Sequence, residues 1–269
     1  MESSNAAIGY GWAVILGLLQ GISEFLPISS SGHLALAQHV GLGRAAPPLF
    51  DIMLHAATML ATLAFFFKTI FRYLQNERMI LLYALVGTIP AAVIGIIFRS
   101  DFAALRLSPN MICLGFLVTA ASLSAAEVHG VPEGRLRDLG WPGALLVGLC
   151  QALAIAPGIS RSGLTISGTA LSGVNREESF SFSFLLSLPV VGGAALLESS
   201  NALRDYVASG GFPPFSAGPC LAGFAAAGLS GYFALGLLQR AVIGGKLVWF
   251  AGYCCLAAAG GLAYFNLLR

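Results

Sequence analysis

Two apolar regions, near 10–42 and 141–174, are each too long for one membrane crossing, and each is broken in its middle by a polar, glycine-bearing tract. The first tract reads PISSSGH at 27–33 and the second PGISRSGLT at 157–165. Around them the chain reads as a series of spans. Stretches near 50–72, 79–98, 108–127, 180–200, 216–238 and 244–267 each offer the ~20 mostly apolar residues that a crossing helix needs. Pro90 and Pro189 fall inside two of these, where neighbouring groups satisfy the freed backbone. Charged residues make up only 10% of the 269, hydrophobic ones 57%, and the mean hydropathy is +0.82. Soluble domains carry roughly 25% charge, so a soluble fold is excluded. The expected class is an all-α integral membrane protein with about six transmembrane helices.

Each flank of the two tracts is only about 10–16 residues long, which favours re-entrant half-helices over full spans. Irregular backbone at membrane depth survives only inside protein or against a wet cavity, so each tract is expected at a buried hairpin tip. The competing reading is two ordinary spans joined by an outside loop. The regions also match each other. Gly17, Leu18 and Gln20 correspond to Gly148, Leu149 and Gln151, and Ile28, Ser29, Ser31 and Gly32 to Ile159, Ser160, Ser162 and Gly163, all at an offset of 131. The chain therefore reads as one polytopic membrane domain of two repeats, about 10–128 and 141–267, each a hairpin followed by three spans. Three spans change sides while a hairpin does not, so the second repeat is inverted, an arrangement that places a site at the repeat interface near the midplane. Lysines and arginines divide eight to five between the two sides, favouring termini outside the cytoplasm. Glu2 and the lack of a basic leader argue against a cleaved signal peptide.

Ionisable residues within membrane segments cost about 2.5–3.5 kcal/mol each on insertion scales and so mark function. Glu24 precedes the first tip, His33 follows it, and Arg161 lies in the second. Ser29, Ser30, Ser31, Ser160, Ser162 and Thr165 add hydroxyls; Gly32, Gly158 and Gly163 allow close backbone approach. Each tip leads into a helix N-terminus, where free N–H groups and the helix dipole attract anions. Two such ends with a guanidinium able to donate two parallel hydrogen bonds suit a phosphate or diphosphate. A purely structural Glu–Arg pair is the simpler alternative. Gln20 and Glu24, four apart on one helical face, suit oxygen ligation of Mg²⁺ or Ca²⁺. His33 has the chemistry of a nucleophile or general acid, and Ser30 that of a nucleophile or phosphate contact.

Other polar residues carry less weight. Asp51 and His55 start a span, Glu198 ends one, and His39 and His129 sit near boundaries. Lys68 can snorkel, and Phe65, Phe66 and Phe67 read as lipid contacts. Cys113, Cys150, Cys220, Cys254 and Cys255 lack metal-ligand spacing and read as small hydrophobes. The near-neutral charge, without a basic run, excludes a nucleic-acid partner.

At these residues the sequence resembles the undecaprenyl-diphosphate phosphatase family of the bacitracin-resistance type. QGISEFLPISSSGH at 20–33, PGISRSGLT at 157–165, FDIMLHAATMLA at 50–61 and FSFLLSLPV at 182–190 carry the likeness. The resemblance implies removal of the terminal phosphate of undecaprenyl diphosphate, a polyprenyl lipid substrate, giving the monophosphate carrier for cell-wall synthesis. It implies a bacterial inner-membrane location, a divalent cation (Mg²⁺ or Ca²⁺), and six spans plus two re-entrant hairpins with a site open to the outer face. By motif position Glu24 is the essential carboxylate, Ser30 and His33 the catalytic hydroxyl and histidine, and Arg161 with Ser160 and Thr165 the phosphate-binding group. Gln20 departs from the glutamate that many members carry, leaving the metal site one carboxylate fewer. A lipid-phosphate flippase using the same cavity is the rival reading, and the sequence leaves open whether the chain forms a homo-oligomer.

Overall fold

The computed structural model describes residues 9–39, 48–105, 107–129, 133–209 and 217–268, and nearly all of them are helical. The helices in chain order are α1 (Tyr10–Phe25), α2 (Ser30–His39), α3 (Pro48–Phe65), α4 (Phe67–Asn76), α5 (Arg78–Ile97), α6 (Arg99–Leu105), α7 (Pro109–His129), α8 (Gly140–Leu153), α9 (Arg161–Leu171), α10 (Arg176–Ser209), α11 (Ala217–Ile243) and α12 (Leu247–Ala263). Short 3₁₀ and π turns precede α8 and follow α12. Among the described residues five helices are long and apolar enough to cross a membrane, and a sixth span results if α3 and α4 count as one. Their outer faces are apolar: Trp249, Leu256 and Phe233 are each about three-quarters exposed. Water would not tolerate that much exposed apolar surface, whereas lipid does.

The interrupted regions fold as helix pairs. At 1.5 Å per residue, α1 is about 24 Å long, α8 about 21 Å, and α2 and α9 about 15–17 Å. None reaches the ~30 Å of a hydrocarbon core. Their tips are buried, with Ser29 at 5% exposure and Ser160 at 2%.

The expected span over 50–72 is instead bent by 60° between α3 and α4. Successive helical residues point about 100° apart, so three consecutive phenylalanines cannot all face lipid. Phe66, at 2% exposure, turns inward against Phe180 and Phe184, with ring centroids 5.4 and 5.7 Å away. Phe65 packs on Phe180 and Tyr232, while Phe67 stays 67% exposed. The lipid-contact expectation thus holds for Phe67 and fails for Phe66. The stretch expected at 180–200 is longer, as α10, and runs through Pro189 without a break.

Packing joins distant parts of the chain. α1 lies along α11, α8 along α5, and α7 along α12. Small residues let the first two pairs approach closely. A Cβ at Gly17 would overlap the carbonyl oxygen of Gly223, and one at Gly148 that of Gly87. In return, a Cβ on Gly223 would lie 2.9 Å from the Ala13 carbonyl and 2.8 Å from Phe50, and one on Gly87 would lie 2.9 Å from the Ala144 carbonyl and 2.8 Å from Leu186. Ala13 and Ala144 carry the same offset of 131 found in the sequence. Each hairpin is thus seated on a helix from the other half of the chain.

Candidate active site

The two tips are built alike. In each, a serine before the helix accepts a hydrogen bond from the amide three residues on: Gly32 N–H to Ser29 Oγ (3.3 Å) and Gly163 N–H to Ser160 Oγ (3.2 Å). These are N-caps that satisfy a free donor of the first turn. Each capping hydroxyl also meets the serine two residues on, Ser31 at 3.4 Å and Ser162 at 3.3 Å. The tips touch where a Cβ on Gly32 would lie 2.7 Å from the Gly158 Cα. Gly158 has φ +87°, and a side chain there would overlap the Ile112 carbonyl of α7. Thr119 of α7 holds the second tip, accepting from the Ser160 amide (2.8 Å) and donating to the Gly158 carbonyl (3.1 Å). Cys254 of α12, fully buried, lies 3.7 Å from the Pro27 carbonyl of the first. Its exposed neighbour Cys255 faces away.

Across this junction Arg161 Nη2 donates to Glu24 Oε1 at 2.6 Å, with the two side chains only 17% and 12% exposed. Neither charge suits its own helix. Arg161 is the first residue of α9, where the dipole is positive, and Glu24 is the penultimate residue of α1, where it is negative. Each therefore depends on the other for compensation. Arg161 Nη1 is buried without a partner. Glu24 Oε2 accepts from Gln20 Nε2 (3.3 Å), which also lies 3.1 Å from His55 Nδ1 on α3. A pocket opens beside the pair between α1, α3, α9 and α10. Its polar wall is Glu24, Arg161, Thr58, Thr62 and Ser187; its apolar wall is Phe25, Met59, Leu188 and Val191.

Of the residues expected at the site, Glu24, Gln20 and Arg161 lie together, joined by His55, which held lower rank in the sequence, while His33 makes its contacts elsewhere. Ser160, Ser162, Gly163 and Thr165 are buried behind Arg161. The Thr165 hydroxyl donates to the Arg161 carbonyl (2.8 Å) and pairs with Ser183 of α10 at 2.5 Å, bracing the first turn of α9. Ser30, half-buried, opens α2 at the position matching Arg161. His33 takes a different direction. Its Nδ1–H donates to the Ser29 carbonyl (2.8 Å), its Nε2 is 2.7 Å from the Tyr253 hydroxyl of α12, and its ring rests on Phe116 of α7 at 4.8 Å. Ser29 supports this with φ +63°, a left-handed conformation unusual for a residue with a side chain. Sequence reading missed Tyr253, Ser183, Thr58 and Thr62. Ser183 and Thr58 lie within the quoted motifs and Thr62 one residue past the end of one, whereas Tyr253 stands in a plain apolar run.

Among the described residues no three of His, Cys, Asp and Glu cluster to form a metal site. The oxygen groups a cation such as Mg²⁺ would find at the junction are the Glu24 carboxylate, whose two oxygens accept from Arg161 and Gln20, and the Gln20 amide, with water and substrate phosphate left to fill its shell.

A family model described as Bacitracin resistance protein BacA matches residues 13–260. The chain is 40% identical over 243 residues to the undecaprenyl-diphosphatase of Carboxydothermus hydrogenoformans, covering 90% of this chain and 92% of that one. It is 35% identical over 268 residues to that of Geotalea daltonii (94% and 97% covered) and 36% over 267 residues to that of Methanosphaera stadtmanae (91% and 94%).

Proposed function

The chain belongs to the bacitracin resistance protein BacA family, and from that premise we propose that it is an undecaprenyl-diphosphatase, hydrolysing the terminal phosphate of a polyprenyl diphosphate to leave the monophosphate lipid carrier. The observation that carries this reading is the Glu24–Arg161 pair, formed between two capped tips beside a pocket with one polar and one apolar wall. The polar wall offers partners for a charged head and the apolar wall a path for the start of an apolar tail, and a diphosphate would enter only as the helices around it part. The buried, unpartnered Nη1 of Arg161 donates to a phosphate oxygen while Nη2 stays on Glu24. The hydroxyls of Thr58, Thr62 and Ser187 line the wall; each donates to a carbonyl of its own helix here and would have to turn from it to reach a phosphate oxygen, and the first turns of α2 and α9 add their dipoles. Glu24 and Gln20 hold the divalent cation, which when bound supplies charge neutralisation at the phosphoryl group. Outside this pocket's lining, on the first turn of α2, His33 and Ser30 keep the roles that the family motif implies, His33 handling the proton of the reaction and Ser30 orienting the phosphate or attacking it.

The matched glycine contacts of the two hairpins support a chain built as two repeats with the site between them; the span count of each repeat favours their inversion, and the family the cytoplasmic membrane. The loop charges favour termini on the outer side.

Purified protein in detergent should release inorganic phosphate from undecaprenyl diphosphate in the presence of Mg²⁺ or Ca²⁺, and a chelator should stop the release. Absence of release with either ion defeats the enzymatic reading, while full release in excess chelator defeats only the metal.

A further inference from the structure

We propose that Tyr253 is a positioning residue for His33, fixing which imidazole nitrogen is basic and holding it through both protonation states; the functional part rests on the role of His33 proposed above. The Ser29 carbonyl can only accept, so the contact at 2.8 Å places the proton of neutral His33 on Nδ1. Nε2 is then the lone-pair nitrogen, and the Tyr253 hydroxyl 2.7 Å away donates to it. Three further features hold the ring in that orientation. The Ser29 carbonyl, at a residue with φ +63°, also accepts from the His33 backbone amide at 3.2 Å. Phe116 meets the imidazole edge-on at 4.8 Å, and the Tyr253 ring stacks on it at 5.5 Å with 19° between the planes.

A tyrosine suits this place for a specific reason. When Nε2 gains a proton, the phenol oxygen accepts from it by rotating its own hydrogen away, so the same partner serves neutral and charged imidazole. A carboxylate would favour the cation alone, and an apolar residue would leave Nε2 unpaired in either state. Tyr253 lies in α12, a helix of membrane-spanning length, and is 44% exposed.

Three measurements on the full chain in detergent test this. Tyr253→Phe removes one oxygen and should lower kcat for phosphate release about tenfold with KM within about twofold, the loss of one hydrogen bond acting on the chemical step. Fluorinated tyrosines at 253, graded in phenol acidity, should give a graded kcat; a packing role would give none. In protein carrying ¹⁵N-histidine, with the His33 signal identified by its loss in His33→Gln, Nδ1 should be protonated and Tyr253→Phe should move the Nε2 signal. A wild-type kcat in Tyr253→Phe, or a flat series, overturns the functional part. If His33→Gln keeps full turnover, the role given to His33 fails by itself, and the ¹⁵N spectrum alone decides the positioning: a shifted Nε2 upholds it, and an unmoved one overturns it.

Discussion

The two hairpin tips share a backbone and differ in their chemistry. Ser29 and Ser160 cap in the same way, Gly32 and Gly163 occupy the same turn, and Ser31 and Ser162 repeat the same contact. At the same register, however, Glu24 faces Ile155, Ser30 faces Arg161 and His33 faces Leu164. The first hairpin carries the acid and the imidazole and stays partly open; the second carries the guanidinium on a helix buried along most of its length. What was duplicated is the means of presenting a helix N-terminus inside a membrane, while the charges were divided between the copies. Each tip alone is a helix end with an uncompensated or absent charge. Only their junction makes a site.

The largest test of that division is Arg161→Ala. It removes the sole guanidinium of the junction and should lower phosphate release by about 10²–10³-fold or more, with Arg161→Lys recovering only part because ammonium cannot donate in parallel. Near wild-type rates in Arg161→Ala would break the comparison outright. The same variant, and Glu24→Ala, should each lower stability by about 3–5 kcal/mol, since each leaves a buried charge without its partner; thermal unfolding in detergent reads this. Next comes the glycine shared by both tips. Gly32→Ala forces a methyl against the Gly158 backbone and should cost about 1–3 kcal/mol. Gly163→Ala meets the Ser160 side chain (Cβ at 3.1 Å, Oγ at 3.3 Å) and a Thr119 methyl at 3.2 Å, with no backbone in the way, and should cost about 1 kcal/mol or less. Equal losses would mean that the tips are not pressed together at Gly32. The smallest effect separates the caps. Ser29→Gly relieves a left-handed residue, worth about 1 kcal/mol, against a few tenths for the cap, so it should be neutral or slightly stabilising. Ser160→Gly has no strain to relieve and should destabilise by about 0.5–1 kcal/mol. Melting temperatures of the pair give the sign directly.

Much of this was legible in the sequence for a physical reason. Membrane burial imposes a length and a composition on each span, and the 20-residue apolar stretches follow from them. A polar tract that breaks such a stretch must be buried in protein, so PISSSGH and PGISRSGLT marked the tips. Charge at that depth marked Glu24 and Arg161. The bend at Phe66 was not legible, because hydropathy does not distinguish a phenylalanine facing lipid from one facing Phe180 and Phe184. Nor was the link from His33 to Tyr253, which spans 220 residues of sequence and adds no polarity pattern to α12. His55 lay between these cases: its histidine was visible, but its contact with Gln20 depends on how α3 packs against α1.

The crossed seating of the hairpins bears on how the protein is made. Gly17 has its counterpart in Gly223, and the ribosome reaches that residue about 200 positions later, on the order of 10–40 s of synthesis. Until then α1 lies in the nascent membrane protein without the helix that receives it, and Glu24 waits for an arginine not yet translated during much of that interval. Maturation therefore closes from the far end of the chain. A ribosome that stalls before α11 leaves behind a fragment with an intact first motif but no docked hairpin, open to the membrane's quality-control proteases.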